Sequence, residues 1–202
     1  MSSDAVFAVT GEPQTAPGET PRNRRQEQTF RKVLTAGLEM LRETSYADLT
    51  VRAVAARAKV APATAYTYFS SKNHLIAEIY LDLLKQVPFF TDVNEPMPIR
   101  VEQALRSMAL TVADDPEVAA ACTTALLAGA DPTVRRVRDR IGGEIHRRIR
   151  SAVGPDADSR VVAALEMTFF GALVNAGSGV FTYHQIADRL SYVVGLIVGD
   201  DR

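Results

Sequence analysis

The segment Lys59–Lys72, KVAPATAYTYFSSK, decides the fold of this chain. It places small alanine side chains ahead of two tyrosines and a phenylalanine, and it ends at two serines and a lysine. Proline at position 62 suits the first turn of a helix, and Ser70 or Ser71 can cap the helix that follows. The segment therefore predicts a short helix that ends near Phe69.

Two helices are predicted ahead of this segment. Phe30, Val33 and Leu34 begin the i, i+3, i+4 spacing of an amphipathic helix that starts at Arg24. Thr50 is a natural N-cap for a second, short helix. Since the second and third helices are each under about ten residues, long neighbouring helices must supply their core. This is the helix-turn-helix arrangement, whose second helix fits a major groove about 12 Å wide.

The rest of the chain is also predicted to be helical. A fourth helix begins near residue 72 and ends at the sequence QVPFF, which starts at Gln86. Four or five more helices, separated by breaks rich in Gly, Pro and Asp, are predicted at roughly 99–114, 116–130, 132–153, 157–179 and 184–199. Because no alternating strand pattern is present, the predicted fold class is all-α. Residues 1–21 lack apolar periodicity and are predicted to be disordered.

Charge is unevenly distributed along the chain. The whole sequence has a formal net charge of -1, but residues 22–72 carry ten Lys or Arg against four Asp or Glu. A basic block of this kind is typical of a module that faces nucleic acid. A merely solvated helix surface would look the same on charge alone.

The sequence offers no constellation for catalysis or metal binding. The single cysteine, Cys122, excludes an intramolecular disulfide and a cysteine-based zinc site. His74, His146 and His184 are isolated, and there is no phosphate-binding loop and no H-E-x-x-H motif. No apolar run approaches the ~20 residues that span a bilayer. We therefore predict a cytoplasmic protein that is not an enzyme and has no cofactor, metal or membrane partner.

From Arg24 to Leu84 the chain resembles the TetR/AcrR family of bacterial repressors. The resemblance rests on LTVRAVAARAKVAPATAYTYFSSKNHL, residues 49–75, which has the leucine-threonine helix start, the alanine pair, the T-x-Y-x-Y/H-F pattern and the lysine-then-leucine of that family. It implies a three-helix helix-turn-helix DNA-binding domain over residues 22–84. It also implies a helical ligand-binding and dimerisation domain over residues 85–202.

The resemblance implies DNA contacts in the basic lead-in, the second helix, the recognition helix and the start of the fourth helix. These residues are Arg24, Arg25, Thr50, Arg52, Pro62, Ala63, Thr64, Tyr66, Tyr68 and Lys72. Thr64 suits a base edge or a thymine methyl group, whereas the two tyrosines and Lys72 suit phosphates. For Tyr66, partial packing against the first helix is the alternative. Lys59 stands where the family usually has glycine, so we expect a positive φ there at a cost of about 1 kcal/mol.

The two helices predicted at the C-terminal end suggest a homodimer. The segment VVAALEMTFFGALVNAGSGVF, residues 161–181, is apolar on nearly every face, and Gly171, Ala172, Ala176 and Gly177 would let another helix approach closely. With LSYVVGLIV, residues 190–198, it would form a two-fold four-helix interface. The alternative is that both helices belong to the core of a monomer.

A ligand pocket is predicted in the C-terminal half. Its candidate lining residues are mostly apolar, with Asn175 as a polar anchor: Phe89, Phe90, Met108, Cys122, Leu126, Phe169, Phe170 and Asn175. The absence of a charge cluster there suggests a small, largely apolar effector, and the resemblance implies a lipid, steroid or acyl-thioester class. The arginine-rich segment VRRVRDRIGGEIHRRIR, residues 134–150, is predicted to be a solvated outer face, with a second anionic contact as the alternative.

The predicted function is a DNA-binding transcriptional regulator. The resemblance implies a repressor that leaves a palindromic operator on double-stranded DNA when the effector binds. A helical ligand-binding or scaffold protein without operator binding is the alternative, against which Tyr66, Tyr68, Lys72 and the basic block argue.

Overall fold

The computed structural model describes residues 23–127 and 131–199, and the prediction for residues 1–21 lies outside this part. The described residues form helices and no strand, which confirms the all-α prediction. The helices in chain order are α1 Arg24–Glu43, α2 Val51–Arg57, α3 Pro62–Tyr68, α4 Lys72–Gln86, α5 Met97–Leu110, α6 Pro116–Leu127, α7 Pro132–Val153, α8 Ser159–Gly177 and α9 Tyr183–Val198.

Helices α1 to α3 share a small core that neither short helix could form alone. Phe69, which follows α3, is fully buried and stacks on Phe30 of α1 with ring centroids 5.0 Å apart. Thr50 caps α2 by accepting a hydrogen bond from the Ala53 amide at 3.1 Å. Burying one side chain of the size of Phe69 contributes about 1.5–3 kcal/mol. The seven residues of α3 are therefore held in place from outside the helix.

The turn between α2 and α3 contains a strained residue. Lys59 has a φ of 56°, and it is the one non-glycine position in the described ranges with a positive φ. Its amide donates to the Ala56 carbonyl at 3.1 Å, and the Val60 amide donates to the Ala55 carbonyl at 2.9 Å. These two bonds define the Schellman motif, in which glycine is the favoured residue at this position. The expectation of a positive φ at Lys59 is confirmed.

Helix α4 is buried on almost every side because it packs against both halves of the protein. Its contacts are with α1 on one side and with α6 and α7 on the other. Every residue from Leu75 to Leu81 is buried, including Glu78 and Tyr80. A bare Cβ at Gly37 of α1 would lie 2.9 Å from Ile79 Cδ1, so glycine permits the close approach of α1 to α4. Helix α4 is thus the central element of the fold.

Polar contacts at three places, here called ties, connect α4 to α7. At the N-terminal ends the Ser71 hydroxyl donates to Asp131 Oδ2 at 3.1 Å, and each residue caps its own helix. In the middle Arg140 Nη1 donates to Glu78 Oε1 at 2.5 Å. At the C-terminal end of α4 a buried arginine of α7, Arg148, completes the series. Since the ties follow the same order along both helices, α4 and α7 run parallel.

Arg148 corrects the prediction that the arginine-rich segment is a solvated outer face. Only 1% of this side chain is exposed, and its Nη2 donates to the carbonyl oxygens of Lys85 at 3.0 Å and Val87 at 2.7 Å. Helix C-termini leave carbonyl groups without intrahelical partners, and Arg148 satisfies two of them. Its guanidinium also forms an ion pair with Glu144 and covers the ring of Phe89 at 4.5 Å. Burial lowers the pKa of Arg148.

Helices α5, α7, α8 and α9 form the C-terminal layer, in which α9 packs on α5 and α8. An apolar face of α8 remains uncovered, with Met167, Phe170 and Val174 exposed. Within the described residues α8 is the one helix whose length and composition would allow it to cross a membrane, with a mean hydropathy of 1.2. The sequence had not led us to expect such a segment. A helix of a helical protein that has one apolar face against its neighbours and another uncovered meets the same criteria of length and composition.

We predict that Lys59→Gly stabilises the protein relative to Lys59→Ala by about 1 kcal/mol, because only glycine reaches this φ without a steric penalty. Urea unfolding followed by circular dichroism measures the difference. The alanine variant is the matched control, since both variants remove the same charge. Equal unfolding midpoints in the two variants would show that the turn carries no strain.

Candidate nucleic-acid interface and ligand cavity

The exposed face of α3 is small, uncharged and accessible. Ala65 is buried against the core, whereas Pro62, Ala63, Thr64 and Tyr66 are exposed. Half of the Tyr66 residue is accessible. The helix contains no charged residue. The structure therefore brings four of the predicted DNA contacts together on one face.

Helix α2 places a cation beside this face. Arg52 is exposed and forms no hydrogen bond or ion pair with any residue in the described ranges. Thr50, which immediately precedes α2, uses its hydroxyl oxygen to cap the helix. A threonine that accepts a bond from a backbone amide still has its hydroxyl proton available for an acceptor such as a phosphate oxygen.

Tyr68 and Lys72 have structural partners within the protein. Tyr68 is half-buried and meets the ring of Phe30 edge-on, with centroids 6.2 Å apart. Lys72 Nζ donates to the Tyr46 carbonyl oxygen at 2.7 Å and to that of Ala47 at 3.4 Å. The ammonium group also lies 4.1 Å from the centroid of the Tyr46 ring. The contacts of Lys72 connect the start of α4 to the loop between α1 and α2, a role that the sequence did not reveal.

Arg24 and Arg25 lie in the first turn of α1 rather than in an extended arm. Asn23 caps the helix and forms a reciprocal capping box with Gln26. Both arginines are exposed at this end of the helix. The chain before Asn23, where an arm reaching a minor groove would lie, is outside the described residues.

A cavity of about 230 Å³ lies between the helices of the C-terminal half and α4. Its lining residues, which come from α4, α6, α7, α8 and α9, are Tyr80, Cys122, Thr123, Leu126, Leu127, Arg138, Ile141, Ile145, Phe170, Leu173, Val174 and Tyr183. Most of these side chains are apolar. Its volume is close to the lower end of the range for small-molecule sites, about 300–1,000 Å³.

Three of the eight predicted pocket residues line this cavity, namely Cys122, Leu126 and Phe170. The other five lie elsewhere. Met108 and Phe169 are fully buried in the core. Phe90 packs against the core, Phe89 lies under Arg148, and Asn175 is exposed and donates back to the Gly171 carbonyl oxygen at 2.8 Å. For Phe169 the physical reason is the orientation of α8, which turns Phe170 and Val174 toward the cavity and Phe169 toward the core.

The two glycines of α8 differ in their surroundings. Gly171 has open space around it, whereas a Cβ at Gly177 would lie 2.5 Å from Thr123 Cγ2 of α6. Gly177 therefore permits a close approach within the protomer. Ala176 is likewise buried.

Polar groups are few inside the cavity. The Thr123 and Tyr183 hydroxyls lie 3.5 Å apart. Tyr80 is buried, and its hydroxyl has no hydrogen-bond partner among the residues that the structure describes. Burial raises the pKa of Tyr80 and raises that of Cys122 to about 12, so both groups are neutral at physiological pH. Arg138 Nη1 donates to the Leu126 carbonyl oxygen at 3.0 Å.

A chain of polar contacts leads from the end of α3 to α7. The Ser70 amide donates to His74 Nδ1 at 3.2 Å, and His74 Nε2 lies 3.7 Å from Glu78 Oε1. Glu78, only 4% exposed, accepts a bond from Arg140. Burial alone would raise the pKa of Glu78, but the nearby His74 and the charge of Arg140 outweigh it and lower the pKa. An acid within the apolar stripe of α4 was the sequence signal for this cluster.

No group of three or more His, Cys, Asp or Glu residues that could hold a metal ion occurs in the ranges 23–127 and 131–199. In the described part of the chain, the exposed face of α3 is the candidate DNA-binding surface and the cavity against α4 is the candidate ligand site.

Comparisons with known proteins agree with this arrangement. Residues 33–79 match the family described as bacterial regulatory proteins, tetR family. The chain is 71% identical to the HTH-type transcriptional regulator Rv0767c of Mycobacterium tuberculosis over 98% of this chain and 94% of the relative. It is 28% identical to the HTH-type transcriptional repressor KstR of Rhodococcus jostii over 87% and 85% of the two chains. The solved structure of Thermus thermophilus FadR, a TetR-family repressor in complex with lauroyl-CoA, superposes with a TM-score of 0.61 at 14% identity over 82% and 92% of the chains.

We predict that Glu78 and Arg140 are energetically coupled. Glu78→Gln and Arg140→Gln should each lower the free energy of unfolding by about 1–3 kcal/mol, because each leaves a charged, partly buried partner without its counter-ion. The double variant should be more stable than the sum of the two losses implies. Urea unfolding of the four proteins at pH 7 measures this coupling.

The coupling should also depend on pH in a definite direction. The pKa of Glu78 in the folded protein lies below its ordinary value of 4.5. The contribution of ionised Glu78 to the free energy of unfolding is therefore complete above pH 4.5, and it is lost as the pH falls through the folded pKa. Arg135→Gln, an exposed change on the same helix, is the control and should show no coupling to Glu78. Additive single losses would contradict the prediction.

Proposed function

Since the chain belongs to the TetR family of bacterial regulatory proteins and is a transcriptional regulator, not an enzyme, we propose that it is a repressor. In this proposal it binds a two-fold symmetric operator as a homodimer and leaves it when a small, largely apolar effector occupies the cavity. The observation that carries the proposal is the shared helix α4. It supports the exposed face of α3 at one end and contributes Tyr80 to the cavity wall.

The proposed DNA contacts are of two kinds: contacts to phosphates, which position the protein on the duplex, and contacts to bases, which recognise the sequence. Arg52, Lys72 and the arginines at the start of α1 neutralise phosphates, which supply affinity without sequence information. Thr64 and Ala63 meet base edges or thymine methyl groups in the major groove. The absence of charge and bulk on α3 supports this division, because its backbone can approach the base pairs closely.

Dimerisation is proposed through α8 and α9. Met167 and Val174 of α8 and Tyr192 and Leu196 of α9 are large apolar side chains that are mostly exposed. Exposed apolar surface of this kind marks an interaction site. A two-fold interface holds two copies of α3 in a fixed relation, which requires inverted half-sites in the DNA.

The proposed effector is apolar because the cavity wall is mostly apolar. The lauroyl-CoA bound by the FadR of similar fold supports an acyl chain as one possible occupant. A ligand that binds better when α4 is displaced would alter the separation of the two α3 helices. By reciprocity, DNA then weakens ligand binding by the same factor, about 5- to 150-fold for a coupling of 1–3 kcal/mol.

Substitutions on α2 and α3 test the DNA contacts. Arg52→Ala should weaken binding to all duplexes and reduce the slope of log affinity against log salt by about one, because one phosphate is no longer neutralised. Thr64→Ala should change base preference at one position by about 1–3 kcal/mol. Operator sequences selected from a random duplex library by the wild type provide the substrates, and fluorescence anisotropy provides the affinities.

Arg136→Ala, which removes an exposed arginine of α7, is the control for charge. It should leave the salt dependence and the base preference of DNA binding unchanged. If Arg52→Ala changed base preference and Thr64→Ala only lowered affinity for all duplexes, Arg52 would read bases and Thr64 would contact phosphate. A wild type that selects no sequence with inverted symmetry would refute the operator proposal, and the helical ligand-binding or scaffold protein would become the better description.

A matched pair of substitutions tests the dimer surface. Leu196→Glu should give a monomer, because it places a charge on an apolar interface. Val93→Glu should leave the assembly unchanged, because Val93 lies in the loop before α5 although it is exposed to the same degree, 87% against 86%. Sedimentation equilibrium measures the mass of both variants. A dimeric Leu196→Glu protein would exclude this face as the interface.

A further inference from the structure

Arg138 is a partly buried arginine of α7 that lines the cavity without a carboxylate partner. Arg140 pairs with Glu78 and Arg148 pairs with Glu144, whereas no carboxylate within the described ranges lies at ion-pair distance from Arg138. Its one hydrogen bond, from Nη1 to the Leu126 carbonyl oxygen, leaves the other guanidinium N–H groups available. A guanidinium without a carboxylate partner is therefore part of an otherwise uncharged cavity wall.

The position of Arg138 makes it a fixed group at the rim of the cavity. It is half-buried, and the bond to Leu126 restrains the side chain against the end of α6. A guanidinium in a partly dehydrated site binds an anion more strongly than it would in water, and its planar donors match a carboxylate or phosphate. The rim is therefore suited to an anionic group.

Tyr80 offers a second polar group to a ligand in the cavity. Its side chain lines the cavity, and its hydroxyl has no hydrogen-bond partner in the part of the chain that the structure describes. The hydroxyl is therefore available to a ligand as donor or acceptor. A ligand that brings an oxygen atom into the cavity satisfies this group, whereas a plain hydrocarbon does not.

We infer that the effector is an anionic amphiphile, with an apolar chain in the cavity and an anionic head bound by Arg138. This deepens the proposed function and rests on the cavity as the effector site. It excludes neutral apolar molecules as the preferred ligands. Two sources share this chemistry, the carboxylate of a free fatty acid and the phosphates of an acyl-thioester of coenzyme A.

Three ten-carbon probes separate the possibilities: decanol, decanoate and decanoyl-CoA. Isothermal titration calorimetry below the aggregation concentration of each probe gives the affinity and the number of molecules bound per protomer. We expect the wild type to bind one molecule of decanoate or decanoyl-CoA at least tenfold more tightly than decanol. Preference for decanoate identifies the carboxylate as the head, and preference for decanoyl-CoA identifies the phosphates. Equal binding of all three probes would overturn the inference.

Variants at two neighbouring arginines locate the anion. Arg138→Gln should abolish the preference for the anionic probes while leaving the affinity for decanol within about twofold, and Arg138→Lys should retain part of the preference because it keeps the charge. Arg135→Gln, which removes an exposed charge three residues away, is the control and should change nothing. A preference for anions that survives in Arg138→Gln would overturn the assignment of the head group.

Titration of the same probes into the protein–DNA complex separates this inference from the proposed function. Anion preference without loss of DNA affinity would support the ligand class and contradict effector-driven release. Release of DNA by decanol as readily as by decanoate would support an apolar effector and contradict the anionic head.

Discussion

The ion pair between Glu78 and Arg140 is the constraint on which the arrangement of the two halves depends. Glu78 lies in the apolar stripe of α4, where an uncompensated carboxylate would be strongly unfavourable. Only α7 supplies its arginine partner, so α4 must pack with one face and one register against α7. Buried ion pairs often contribute little net stability compared with apolar residues of the same volume. Here the pair specifies a geometry, and the bonds at Ser71 and Arg148 reinforce it at the two ends of α4.

That geometry gives α4 two roles that a flexible connection could not combine. Its 15 residues contain no glycine or proline, and at 1.5 Å per residue they span about 22 Å. Tyr80 on this helix faces the cavity, and His74 and Lys72 on the same helix contact the end of α3 and the loop before α2. Since the helix has no intrinsic hinge, a displacement at the cavity moves its other end as well.

The helix-turn-helix could be predicted from the sequence because local signals are strong there. Thr50 and Ser71 cap α2 and α4 as expected, and the missing glycine at Lys59 correctly indicated a residue with positive φ. The C-terminal site could not be predicted in the same way. Phe169 and Phe170 are adjacent in an apolar helix, yet only Phe170 lines the cavity. When both faces of a helix are apolar, periodicity does not reveal which face meets the core, and tertiary packing decides it.

The lack of charge on α3 separates two properties that many DNA-binding helices combine. Under the proposed function, general attraction to the phosphate backbone would come from cations on α1, α2 and the start of α4, while the base sequence would be read by a helix of seven small or aromatic residues. In evolution, substitutions confined to α3 would then redirect a duplicated copy of this protein to a new promoter without altering its overall attraction to the chromosome. The two copies could diverge in target while keeping the same effector, so that one metabolite would come to control several sets of genes.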